Sequence, residues 1–169
     1  IIQEIFGNSD RPVVAEDLPR LKYLDAVIRE SLRLYPPVPV IVRKALKDLT
    51  LPTGHVLAKN CGILVNIWAI QRNPQYWGED SMVFRPERWI DSTLKHPAAF
   101  MSFSYGPRGC IGYRYAMMSM KTAMTTLLRR YRLLPASTVS DKHAPLRTKF
   151  DVMMKHVDNF EVRLERRAK

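Results

Sequence analysis

Phe103-Ser104-Tyr105-Gly106-Pro107-Arg108-Gly109-Cys110-Ile111-Gly112 is the stretch on which the reading of the chain turns. It sets one cysteine among three glycines, a proline and an arginine. From Ile111 to about Tyr131 there is no Gly or Pro after Gly112, and Ala, Met and Leu dominate, which predicts a long helix over about 111–131. Cys110 therefore stands at a helix N-terminus, where unpaired backbone N–H groups and the positive end of the dipole favour a thiolate. Glycines at 106, 109 and 112 let backbone N–H groups approach the sulfur closely. The combination suits a cysteine that stays deprotonated while bound to a metal. A buried, inert cysteine is the alternative that the local sequence leaves open.

Outward from this loop, the composition is that of a globular protein with a core: 169 residues, 46% hydrophobic and 25% charged, which argues against disorder over most of the length. The net charge of +11 is unevenly placed. Residues 1–84 carry 10 Lys/Arg and 9 Asp/Glu, whereas residues 85–169 carry 17 and 7, so an acidic partner would meet the second half. The two cysteines, at 61 and 110, form no CxxC pair, which excludes a disulfide framework and a zinc ribbon. Cys61 reads as a small core hydrophobe. His55, His96, His143 and His156 share no ligand spacing and read as surface or loop residues. No stretch reaches the roughly 18 consecutive apolar residues of a membrane span. Ile1-Ile2-Gln3-Glu4-Ile5-Phe6-Gly7 has no initiating Met and no signal-type run, so a membrane anchor, if the parent protein has one, is expected upstream.

Toward the N-terminus, Asp17 is a plausible N-cap and Pro19 suits a first turn. Leu18, Leu21, Leu24, Ile28, Leu32 and Tyr35 recur at helical spacing until Pro36-Pro37 stops the pattern, which predicts a helix at about 18–34. Residues 38–65 turn β-branched around Leu51-Pro52-Thr53-Gly54 and predict a small sheet about a hairpin. Residues 66–109 lack a sustained period and predict short helices and a long irregular segment of the functional kind. The tail over about 146–164 alternates as a β-hairpin with its turn at 157–160. The fold class expected from these elements is mainly α with small β-sheets, an α+β arrangement.

The ten residues 103–112 match Phe-x-x-Gly-x-Arg-x-Cys-x-Gly at every fixed position, and this loop resembles the haem-binding loop of the cytochrome P-450 superfamily. Two further signatures stand in the expected order. Glu30-Ser31-Leu32-Arg33 matches that family's Glu-x-x-Arg helix motif, and Phe84-Arg85-Pro86-Glu87-Arg88-Trp89 resembles its Pro-Glu-Arg-Phe element with Trp89 in place of Phe. Alone, Glu-x-x-Arg reads as a solvated i, i+3 ion pair worth a few tenths of a kcal/mol. The run from Ile5 through Pro36 is most similar to the microsomal family-four group common in insects.

The resemblance implies the C-terminal, haem-binding part of the P-450 fold over residues 1–169, and a haem-thiolate monooxygenase that inserts one atom of O2 into an apolar organic substrate. The cofactor implied is haem b, with Cys110 as the axial iron ligand. Arg108 and Arg43 are implied as propionate partners. Phe103 is implied as a ring beside the sulfur that restricts water, and Gly106 and Gly112 as the glycines of the loop. Glu30, Arg33 and Arg88 are implied as a buried charge triad that locks the loop to the core. Val40, Ile41, Val42, Val152 and Met153 are candidate substrate contacts, although their apolar character fits core packing equally well.

The partners implied are an NADPH-dependent reductase on a basic proximal face, O2, an apolar small molecule, and the endoplasmic reticulum membrane at its cytosolic side, with the mitochondrion as the lesser alternative. The anchor and the oxygen-activating helix are expected outside this stretch, so this stretch alone is expected to be inactive. Gln71-Arg72-Asn73-Pro74 stands where the family often has His-Arg-Asp-Pro, Ser81 replaces a common Pro and Ser119 a frequent Glu. Two alternatives are a non-catalytic fragment or pseudogene product of the same family, and a basic nucleic-acid-binding module. No known nucleic-acid-binding motif supports the latter, and no nucleic-acid partner is expected.

Overall fold

The computed structural model describes residues 2–7, 9–90, 94–135, 146–151, 153–157 and 161–167. Along the chain run α1 (Ile2–Phe6), a 3-10 turn (Ala15–Arg20), α2 (Lys22–Leu34), β1 (Val40–Lys44), β2 (Leu49–Thr50), β3 (Val56–Leu57) and β4 (Gly62–Asn66). Two short helices, α3 (Ile67–Ile70) and α4 (Pro74–Trp77), and three 3-10 turns (Pro86–Trp89, Pro97–Ala99, Gly106–Arg108) lead to α5 (Tyr113–Arg130). The chain continues through β5 (Tyr131–Pro135), β6 (Thr148–Asp151), β7 (Met153–His156) and β8 (Val162–Arg166). This is the expected class, helices with small antiparallel sheets.

Two helices make the core. On α2 and its approach, Leu21, Leu24 and Ile28 recur at helical spacing and pack with Phe6, Leu18 and Met117. From α5, Tyr113, Met120, Met124 and Leu128 flank Met117 to complete a stripe with steps of three and four residues. Each such large apolar side chain, when fully buried, contributes about 1.5–3 kcal/mol. Asp25 of α2 ties the pair together by accepting from Lys121 of α5 at 2.7 Å. Helix α2 stops at Tyr35, whose backbone lies at φ −130°, ψ 64°, outside the helical region that the following proline disfavours.

The start of that helix differs from expectation. Asp17 is not an N-cap. It is the third residue of the 3-10 turn Ala15–Arg20, and its carboxylate accepts from the Val14 N–H at 3.1 Å and from Arg11 at 2.6 and 2.7 Å. Those bonds anchor the turn three residues earlier, Leu21 breaks the helical path at φ −82°, ψ 51°, and α2 begins at Lys22 instead of 18. The hydrogen bonds from Arg11 outweigh the opposing effect of burial and hold the Asp17 carboxyl down at about 2.

The sheet expected over 38–65 is a pair of nested ladders. β1 pairs antiparallel with β4, from Val40 opposite Asn66 to Lys44 opposite Gly62, and β2 pairs with β3 around the Leu51–Gly54 turn. The tail departs from the single hairpin expected over 146–164. β6 pairs with β7, whereas β8 pairs with β5, the strand that continues directly from α5. Alternation specifies a strand and its faces but not its partner, and a partner far along the sequence is invisible to it. Residues 158–160 of the expected turn lie outside the described residues, as does His143. No helix among the described residues is long and apolar enough to cross a membrane.

Candidate functional site

Cys110 lies just ahead of α5, with Gly112 as the helix N-cap. Its backbone N–H donates to the Phe103 carbonyl at 2.8 Å, which closes residues 103–110 into a loop. Inside the loop the Gly109 N–H donates to Gly106 O at 2.9 Å. A Cβ at Gly109 would fall 3.1 Å from that oxygen, and Gly106 holds φ +78°, so a side chain at either position opposes the turn. Ser104 takes a positive φ of 63° without being glycine, a sparsely populated conformation that costs about 1–3 kcal/mol and clusters at functional sites. A Cβ on Gly112 would sit 3.8 Å from the Cys110 sulfur, in ordinary contact. The thiol itself is free and exposed.

Three side chains flank the loop. The half-buried Phe103 ring meets Tyr113 edge to face with centroids 4.7 Å apart. Arg43 reaches from β1 and donates to the Ser104 hydroxyl at 3.0 Å, which brings a residue 61 positions upstream to the loop. Arg108 is exposed on the 3-10 turn Gly106–Arg108. Phe103, Cys110 and Tyr113 share the wall of one open cleft of about 270 Å³.

Behind the loop lies the charge cluster. Glu30 and Arg33 have no exposed surface and Arg88 has 8%. Arg33 clasps the Glu30 carboxylate in bidentate fashion, both bonds at 2.8 Å, and spends its other N–H groups on the carbonyls of Gln71, Ser81 and Val83. Arg88 adds a bond to Glu30 at 3.0 Å, and the Arg85 N–H and the Trp89 indole N–H each add one at 2.9 Å. Burial alone would raise the Glu30 pKa, but the bonds from Arg33, Arg85 N–H and Trp89, with the Arg33 charge, outweigh it and hold the carboxyl below its usual range. The isolated surface ion pair is thus excluded for Glu30 and Arg33. Trp89, where the family motif has Phe, supplies a donor that phenylalanine lacks.

In the sequence Gln71 stands out only as a departure from a family pattern, yet it is the joint of the site. Its fully buried amide donates to the Leu32 and Arg33 carbonyls at the end of α2. Its side-chain oxygen accepts from the Met101 N–H at 2.7 Å and the Ser102 hydroxyl at 3.0 Å, at the start of the cysteine loop. Next to it, Arg72 packs on the Trp68 ring at 4.1 Å, and burial, with help from the Arg33 charge, lowers its pKa to about 10. Asn73 caps α4 by accepting from the Gln75 N–H, a role open to Asn and Asp alike. No sequence pattern flags Gln71, because an amide that bonds two carbonyls and an amide N–H across 30 residues has no local signature.

Of the candidate substrate contacts, Val40 and Ile41 are half-buried and Val42 is 65% exposed. Ile41 shares a strand face with Arg43, the face turned to the Ser104 loop. The Met154 N–H donates to Pro37 O at 2.8 Å, so the segment bearing Met153 lies against the approach to β1. Val152 lies outside the described residues. Cys61 is only half-buried, at the approach to β4, rather than a core residue. Among the described residues no three His, Cys, Asp or Glu side chains gather as a metal site.

The family model described as Cytochrome P450 matches residues 2–162. The chain is 36% identical over 170 residues to cytochrome P450 4g15 of Drosophila melanogaster, covering 99% of this chain and 29% of that protein. It is 42% identical over 132 residues to cytochrome P450 4V2 of Mus musculus, covering 77% and 25%. It thus spans less than a third of the length of these curated relatives. Among solved structures, that of the cytochrome P450 CYP102L1 superimposes with a TM-score of 0.84 at 29% identity, over 98% of this chain and 36% of that one. The cytochrome P450DA heme domain gives 0.86 at 24% identity over 99% and 35%, a likeness of fold.

Proposed function

Because the chain belongs to the cytochrome P450 family, whose cofactor is haem, we propose that it forms the haem-ligating part of a haem-thiolate monooxygenase in which Cys110 would hold the iron. The observation that carries this is the free, exposed Cys110, which lines an open cleft just ahead of α5 in a loop whose backbone closes on Phe103. The residues present fit a haem. The donor is a single soft thiolate unpaired with any other cysteine, and two guanidinium groups, Arg43 on Ser104 and the exposed Arg108, suit the carboxylates of a propionate-bearing ligand.

Bound there, haem supplies the activation of O2 for insertion of one oxygen atom into a substrate. The chain's own residues hold and tune. Cys110 would donate electron density through its sulfur, Arg43 and Arg108 would neutralise negative charge, and Phe103 would limit the approach of water to the sulfur. Gly106 gives the loop its positive-φ turn, and Gly112 caps the helix that follows Cys110. Val40, Ile41, Val42, Val152 and Met153 would offer an apolar wall to an apolar substrate. Electrons from NADPH would arrive through a reductase docked on the basic half of the chain. The family-four resemblance supports the cytosolic face of the endoplasmic reticulum as the site of action. The chain spans less than a third of the length of the relatives, so the activity is proposed for the complete polypeptide rather than for this stretch by itself.

The decisive measurement is spectroscopic, on protein made from the complete coding sequence. Its reduced, carbon-monoxide-bound form should show the red-shifted Soret band of thiolate ligation, and Cys110→Ser should lose it. An unchanged band in Cys110→Ser would remove the proposal.

A further inference from the structure

Tyr113 belongs to neither the ten-residue loop nor the charge cluster, yet it touches the loop directly and connects toward the cluster through Arg29. As the first residue of α5 it donates its N–H to the Cys110 carbonyl at 3.4 Å. Its ring meets the Phe103 ring edge to face at 4.7 Å and 69°. Its hydroxyl accepts from Arg29 at 3.3 Å. Arg29 is fixed in turn by Asp25, which Lys121 of α5 also grips, and its guanidinium lies 5.9 Å from the centre of the Trp89 ring, whose N–H is bonded to Glu30. Phe103 is held at both ends: its carbonyl by the Cys110 N–H and its ring by Tyr113. Phe103 and Tyr113 line the same open cleft as Cys110.

Resting on the assignment of Cys110 as a thiolate ligand, we propose that Tyr113 is a positioning residue that clamps the Phe103 ring against the cysteine loop and thereby sets the polarity around the Cys110 sulfur. An edge-to-face pair contributes about 0.5–1.5 kcal/mol beyond area burial, enough to fix a half-buried ring in one orientation. The clamp is the edge-to-face contact of the two rings, and the bond from Arg29 to the Tyr113 hydroxyl only adds to it. With the clamp removed, Phe103 rotates away and water hydrogen-bonds the thiolate. The sulfur then donates less to the iron, the oxidised state loses stabilisation and the reduction potential rises.

The test is the reduction potential of the haem-loaded protein from the complete coding sequence, alongside its carbon-monoxide spectrum. Tyr113→Leu keeps an apolar side chain on α5 and removes both the edge-to-face contact and the hydroxyl. Tyr113→Phe keeps the ring. A potential shifted upward in Tyr113→Leu and returned to the wild-type value in Tyr113→Phe, with the thiolate band retained in all three proteins, supports the clamp. An unshifted potential in Tyr113→Leu overturns it, as does a shift of equal size in Tyr113→Phe, which would assign the effect to the hydroxyl rather than the ring. If Tyr113→Leu takes up no haem, the Tyr113→Phe value and the hydrogen–deuterium exchange of the Cys110 amide in Tyr113→Leu decide. Unchanged protection of that amide would overturn the clamp. Loss of the thiolate band in the wild type would instead strike the ligand assignment itself.

Discussion

Glu30 shows how much one residue can hold. Its carboxylate accepts from two arginines, an indole N–H and a backbone N–H with no water-exposed surface. Glu30→Ala would leave the buried Arg33 without its carboxylate, while Arg88 keeps the Asp80 carboxylate at 3.3 Å. Breaking such a buried pair costs about 3–5 kcal/mol, and the expected outcome is little or no haem-loaded protein on purification. The pH dependence follows from the lowered pKa of the carboxyl. A carboxyl whose folded pKa lies below its unfolded value stabilises the fold above the usual carboxylate range. That stabilisation is lost as pH falls through the lowered folded value. Glu30→Gln should therefore flatten the acid limb of a stability-versus-pH curve measured by denaturant unfolding, besides lowering stability near neutrality. An acid limb as steep as the wild type's would show that other carboxyls set it.

At the scale of elements, Gln71 joins the end of α2 to the start of the cysteine loop, which otherwise meet through one bond, from the Ser102 hydroxyl to Leu32 O. Gln71→Leu fills the same volume but removes the Gln71 partner from the Met101 N–H and the Arg33 carbonyl, while Leu32 O keeps the Ser102 hydroxyl. Each unsatisfied buried group costs about 1–3 kcal/mol. The variant should unfold at clearly lower denaturant than the wild type while keeping its helical circular dichroism, and it should lose haem more readily because the loop has lost its tie to α2. A midpoint within experimental error of the wild type would mean that the Ser102 bond alone suffices.

Over the whole molecule, the charge asymmetry resolves into two kinds of basic residue. Lys121 is paired with Asp25 and donates to Leu18 O, and Arg129 binds the carbonyls of Ser9 and Arg11 while packing on the Phe6 ring. Those two cations hold α5 to the N-terminal segment and are already engaged within the chain. Arg114 and Arg130 are exposed on the same helix. Surface charge acts mainly on association rate and is screened beyond about 8 Å at physiological salt. Arg114→Glu and Arg130→Glu should therefore slow turnover supported by the proposed reductase, most at low ionic strength, and leave peroxide-driven turnover intact. Lys121→Glu should depress both together, since it places a second carboxylate beside Asp25 in a partly buried pair. A common fall for all three variants would assign the basic surface to folding rather than docking.

Much of this molecule is legible locally. The spacing of Leu21, Leu24 and Ile28, the stop at Pro36-Pro37 and the Gly-free run after Gly112 specify two helices because helix periodicity and proline stereochemistry act over a few residues. The ten residues from Phe103 to Gly112 announce the family, because a tight loop around a cysteine needs glycine at particular places. Residue type alone could not say that Asp17 binds Arg11 and Val14 instead of capping α2, or that β8 pairs with β5. Nor could it say that Gln71 and Tyr113 hold the loop, or that Lys121 faces inward. Each of those is a contact between residues whose separation along the chain carries no periodic signal. The sequence by itself determined the helices, the cysteine loop and the family, whereas only the tertiary structure decided which distant side chains hold that loop in place, because burial and hydrogen-bond partners exist only once the chain has folded.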